Sequence, residues 1–84
     1  MIWAHVMEGD VLADVDRYST GAVMLVLGVG LDNGIHARPG HLTVKVMVLH
    51  SPHGAYDDGQ TFNLNYEGGS KLEDLGLKLV VEGK

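Results

Sequence analysis

Alternation of apolar and polar positions runs through most of this chain. Across residues 60–66, Phe62, Leu64 and Tyr66 fall on one side and Thr61, Asn63 and Asn65 on the other, the period-two signature of a half-buried strand. Residues 41–50 place Leu42, Val44, Val46 and Val48 on one face against Thr43, Lys45, Met47 and Leu49, so this segment starts amphipathic and ends apolar on both sides. Residues 20–30 place Val23, Leu25, Leu27 and Val29 on a predicted core face, with Ala22, Met24, Val26 and Gly28 opposite. Their β-branched content and flanking glycines favour strand over helix. Shorter strands are predicted over 2–7, 11–16 and 77–81.

Turn chemistry separates these segments. Residues 17–19, 31–40 and 51–59 carry Gly, Pro, Asp, Asn or Ser at positions that suit tight turns, and Asp57-Asp58-Gly59 reads as a hairpin turn. The one helical signal is 70–75, where Ser70 is placed to cap and Glu73 follows three residues on, enough for a single 3₁₀ turn. About five connected strands with loops of this size predict an all-β, antiparallel barrel or sandwich, and 84 residues make one domain with a thin core.

The order of elements resembles a known group. Glu8-Gly9-Asp10-Val11, then Gly21-Ala22-Val23-Met24-Leu25-Val26, then Leu42-Thr43-Val44-Lys45-Val46-Met47-Val48, a strand ending in Tyr66, and Leu72-Glu73-Asp74-Leu75 before a last strand are similar to the small SH3-like barrel modules common in short bacteriophage proteins. The resemblance spans residues 8–81 and implies a small antiparallel SH3-like barrel of about five strands, here with an added N-terminal strand and one 3₁₀ turn. It also implies a non-catalytic module of a phage, working in the host cytoplasm or the virion. The apolar segment 2–7 and the length of the 31–40 loop depart from the pattern.

Composition narrows the function classes. No cysteine is present, which removes disulfides and thiolate zinc sites and favours a cytosolic setting. The N-terminal MIWAHVMEGD has neither a basic start nor a long apolar run, so no signal peptide or membrane span is expected. Eleven acidic against six basic residues give a net charge of −5, which opposes binding to nucleic acid. Twelve glycines, about twice ordinary usage, punctuate apolar runs without repeating.

The stretch Asn33-Gly34-Ile35-His36-Ala37-Arg38-Pro39-Gly40-His41 resembles the active-site signature of histidine-containing phosphocarrier proteins, which implies a phosphorylatable His36 at a helix start. Two features oppose this. That chemistry needs a helix after the histidine to offer its N–H groups to the phosphoryl group, whereas residues 41–48 alternate as a strand. The family also carries its histidine near the N-terminus, and His36 sits near the middle. A loop with Asn33-Gly34 as its turn is the favoured reading, with a phosphocarrier using His36 as the alternative function.

Other chemistry is sparse. His41 and His50 would stand roughly 30 Å apart along one strand, and His50 with His53 lacks an obvious third ligand among its neighbours, so no metal site is assigned. Ser19, Ser51 and Ser70 occupy turn-like contexts, none in a Gly-x-Ser-x-Gly elbow, and Gly28-Val29-Gly30 lacks both a following helix and a third glycine, Asn33 standing there instead. Neither a catalytic residue nor a cofactor is assigned. What remains is apolar surface: Trp3, Met7, Met24, Val26, Met47 and Leu49 lie on the faces opposite the predicted core and are the candidate protein-binding residues. The expected function is therefore a non-catalytic protein-binding or assembly module, with a protein partner or self-association.

Overall fold

The computed structural model describes residues 1–15, 21–31 and 39–83. Five strands, β1 (Val11–Asp14), β2 (Val23–Leu31), β3 (His41–His50), β4 (Thr61–Glu67) and β5 (Leu77–Val81), form one sheet in the order β4-β3-β2-β1-β5 with every neighbouring pair antiparallel. The all-β, five-stranded antiparallel expectation is met. The predicted strands at 41–50 and 77–81 have the observed bounds, those at 11–16, 20–30 and 60–66 differ by a few residues at their ends, and the one at 2–7 does not form.

Three bulges bend this sheet. Val26 pairs with Val46 but Gly28 with Lys45, leaving Leu27 as an extra residue in β2. Leu49 is likewise extra in β3, between the Val23–His50 and Met24–Val48 pairs, and Val80 is extra in β5. Each inserted residue raises the local twist and breaks the alternation of faces. One side of the sheet holds a core of Leu12, Ala22, Met24, Val26, Val44, Val46, Val48 and Leu77, joined by Trp3 and Val6 of the N-terminal segment and by Leu72, whose N–H donates to the Met1 carbonyl at 3.0 Å.

Two expectations about faces are corrected here. In β2 the inward residues are Met24 and Val26, with Ala22 just before them, and Val23, Leu25 and Leu27 are the half-buried outward set. Residues directly opposite in an antiparallel pair share a face, so pairing of Met24 with Val48 and of Val26 with Val46 commits them to the core. Beyond the bulge at Leu27 the phase shifts, and Val29 pairs with the inward Val44. An uninterrupted odd-numbered face was therefore the wrong geometry for this strand.

Residues 2–7 form no strand. Trp3–His5 is a 3₁₀ turn, and only Ile2 makes an isolated bridge, to Lys71. A strand would direct Trp3 and His5 to the same side. The turn instead buries Trp3 and Val6, three residues apart as the 3₁₀ period requires, and leaves His5 exposed. The Trp3 indole N–H donates to the Leu42 carbonyl at 2.9 Å, and its ring meets Tyr66 edge-on with centroids 5.1 Å apart. A buried indole keeps its donor satisfied in this way.

The second 3₁₀ turn, Leu72–Leu75, lies where it was predicted, but Ser70 does not cap it. Lys71 holds the N-cap position without a side-chain bond, and the Ser70 carbonyl accepts the Trp3 backbone N–H at 2.7 Å. Gly76 ends the turn in the left-handed region, φ +73°, which favours glycine. At Asp57-Asp58-Gly59 a turn forms, the Gln60 N–H donating to the Asp57 carbonyl at 3.0 Å with Gly59 at φ +84°, but it closes the end of the longer 51–60 connection between β3 and β4 and is not by itself a tight hairpin turn.

Candidate functional site

The six residues singled out for binding separate into two groups. Trp3 is 0% exposed, Met24 3% and Val26 1%, so all three belong to the core and none is available to a partner in the folded chain. Trp3 is drawn in by its hydrogen bond and ring contact, and the two β2 residues by their register with β3. Met7 and Leu49 are exposed, at 48% and 41%, and Met47 is half-buried on the outward side.

The outward apolar surface exists, displaced by one residue in β2. Val81 pairs with Val11, Val11 with Leu25, and Leu25 with Met47, so these four side chains form one row across β5, β1, β2 and β3. Val81 is 55% exposed and the other three are half-buried by one another. Val23, one outward position further along β2, extends the row. Leu25 was missed because the apolar content of residues 22–29 is the same on both faces, and Val11 and Val81 because only strand pairing sets them beside it. The signal was present: whichever set turned inward, the other had to remain outside.

Toward β4 the outward face is polar. On the first half of β3 and on β4, Thr43 pairs with Asn65 and Lys45 with Asn63. Asn65 Nδ2 donates to Thr43 Oγ at 2.8 Å, and His41 Nδ1 lies 2.9 Å from Asn65 Oδ1. These groups satisfy one another across the strands.

On the inner side, β4 is the unsealed strand. Val44, Val46 and Val48 of β3 are fully buried, whereas Phe62, Leu64 and Tyr66 of β4 are half-buried. They line a cleft of about 220 Å³ with Tyr56 on one rim, Leu75 and Leu77 across from them, Asp14 at the side, and Ala22 and Met24 at the floor. Tyr56 stacks on Phe62 with centroids 5.1 Å apart and planes 28° from parallel. The Tyr56 N–H donates to Ser51 Oγ at 3.3 Å, which ties its loop to the end of β3.

A buried carboxylate fastens the two ends of the chain to the sheet. Asp10 Oδ2 accepts the Met7 N–H at 3.0 Å and Oδ1 accepts the Gly83 N–H at 2.7 Å. Gly83 lies so close to the Glu8–Asp10 backbone that a Cβ there would stand 2.5 Å from the Glu8 carbonyl oxygen. Met1, His5, Met7, Asp10 and Glu82 surround a depression of about 150 Å³ beside it. Both Asp10 oxygens hold backbone N–H groups, which makes its role structural.

Residues 16–20 and 32–38 lie outside the described residues, and with them Arg17, Tyr18, Ser19, the Asn33-Gly34 turn and His36. Among the described residues no group of three or more metal-ligating side chains converges, and no helix is long and apolar enough to cross a membrane. His41 and His50 stand at opposite ends of β3, and His50 and His53 are both exposed. No protein-family model, curated protein or solved structure matches the chain.

Proposed function

We propose that this chain is a non-catalytic assembly module that associates with a second copy of itself through the outward row Val81, Val11, Leu25 and Met47. The observation that carries this reading is an apolar row crossing four strands on a surface that elsewhere bears hydrogen-bonded polar side chains. Solvent-facing positions of a small antiparallel sheet are ordinarily polar, and a contiguous apolar patch marks an interaction surface. Burial returns about 25 cal/mol per Å², and a standard interface needs about 800 Å² from each partner. The row with Val23 and the neighbouring bulge residues Leu27 and Leu49 forms the centre of such a contact, ringed by polar Thr61 and Lys78. The resemblance to SH3-like phage modules adds a setting, a virion-associated component or a small phage protein that docks on a host factor.

Light scattering over a concentration series tests this. The wild-type chain is expected to be a dimer or larger, and Leu25→Lys or Met47→Lys to be monomeric with an unchanged circular dichroism spectrum. A wild-type chain that stays monomeric at every concentration removes the reading.

A further inference from the structure

We propose that the open edge of β4 takes up an extended segment of a protein partner, which joins the sheet as a further strand beside the cleft between β4 and β5. The inference does not rest on the outward row, which lies on the other face of the sheet.

The backbone of β4 is only half used. Just before the strand the Gln60 carbonyl accepts the Val48 N–H at 2.8 Å, and just after it the Gly68 N–H donates to the Gly40 carbonyl at 2.9 Å, with unbroken register against β3 between them. Successive residues of a strand turn their N–H and C=O groups to opposite edges, so Phe62, Leu64 and Tyr66 turn theirs to β3. Those of Thr61, Asn63 and Asn65 turn to the free edge, about 7 Å from one to the next. Among the described residues nothing bonds to them.

Natural sheets blunt such edges with short strands, bulges, Pro or Lys. The other edge of this sheet is blunted: β5 has five residues, a bulge at Val80, and Lys78 along it. β4 has seven residues, no bulge against β3, and neither Pro nor Lys. One edge is closed to pairing and the other is left open.

The side chains fit the same guest. A strand added to β4 sets every second side chain beside Phe62, Leu64 and Tyr66, which are half-buried and line the cleft. At about 220 Å³ the cleft is smaller than the roughly 300–1,000 Å³ of a small-molecule site and suits apolar side chains from alternate positions of a strand. Leu75 and Leu77 form its far wall. A single extended segment fits between these walls, whereas the edge of a folded second copy would bring its own neighbouring strand against them. Asp57 and Asp58 precede β4 and Glu67 ends it, on a chain of net charge −5, so basic residues flanking the segment complement the site.

The test is amide hydrogen exchange by NMR on the intact chain with the acetylated, amidated peptide Lys-Val-Thr-Leu-Thr-Val-Lys. Its control is the same peptide N-methylated at both threonines, whose N–H groups would face β4. The unmodified peptide is expected to slow exchange at Thr61, Asn63 and Asn65 at least tenfold and to shift the side-chain signals of Phe62, Leu64 and Tyr66. Asn63→Pro removes one outward N–H and leaves the β3 ladder intact, since Pro is tolerated where an edge N–H faces solvent. It is expected to weaken peptide binding at least tenfold, and Thr61→Pro repeats the measurement should Asn63→Pro fail to fold. Equal binding of the N-methylated peptide would make the cleft a plain apolar groove and overturn the proposal. Exchange at the three amides that stays unchanged at saturating peptide would overturn it too. Protection that appears without peptide and rises with protein concentration would assign the edge to a second copy instead.

Discussion

The outward face of the sheet divides into two halves that solve the same problem differently, and β3 passes through both. Its first half shows Thr43 and Lys45 to solvent opposite Asn65 and Asn63, where cross-strand hydrogen bonds and water satisfy every group. Its second half shows Met47 and then Leu49, flanked by Leu25, Val11 and Val81. The polar half needs nothing further. The apolar half leaves hydrocarbon in water and gains only when another surface covers it. The two halves also differ in backbone: β4 pairs with β3 only as far as Met47, and the second half carries the bulge at Leu49.

The strongest way to break the comparison is to place a charge at adjacent residues on opposite sides of β2. Met24→Lys puts an ammonium into the core among Val48, Val26 and Leu12, at a cost on the order of 4 kcal/mol or more. A small domain holds about 5–15 kcal/mol in total, so this variant is expected to lose its cooperative thermal transition. Leu25→Lys, one residue on, is expected to stay folded and to change only the association state. Should both variants unfold, the outward row is part of the core and the two halves are not comparable surfaces.

A smaller effect is expected at the N-terminal latch. Asp10→Ala removes the acceptor for the Met7 and Gly83 N–H groups. Loss of two charge-assisted bonds in a buried place is expected to destabilise by about 3 kcal/mol, read as a shift in the urea midpoint. Because β5 ends at Val81, two residues before Gly83, loosening this end is also expected to weaken association through the row's outermost member. An Asp10→Ala chain that melts earlier yet associates normally when folded would show that Val81 contributes little.

Legibility in the sequence followed how different the two faces of each strand are. Strand β4 alternates large apolar with small polar side chains, and β3 begins that way, so their faces could be assigned by inspection. In β2 every position from 22 to 29 is apolar or glycine, and period-two counting has nothing to separate. The deciding facts were the register with β3 and the bulge at Leu27, both of which depend on the partner strand. For the same reason Met24 and Val26 exchanged places with Val23 and Leu25 as surface candidates. Trp3 was lost differently: its burial depends on a carbonyl of Leu42, 39 residues away, which no local window contains. The cleft was half legible, since Phe62, Leu64 and Tyr66 were identified as one face, while their incomplete burial comes from β4 standing at the sheet edge.

The smallest expected effect lies in the polar half and checks that it is as self-sufficient as its hydrogen bonds imply. Asn65→Ala deletes the donor to Thr43 Oγ and the partner of His41 Nδ1. Both neighbours are surface groups that water can satisfy in place of Asn65, so the loss reduces to the net worth of cross-strand pairs, about 0.5–1 kcal/mol. Association should be unaffected, because this site is separated from the apolar row by Lys45 and Thr61. Thermal melting and light scattering on the same sample test both parts. A loss of association from Asn65→Ala, at unchanged melting, would move the contact surface onto the polar half and reverse the assignment of the two halves.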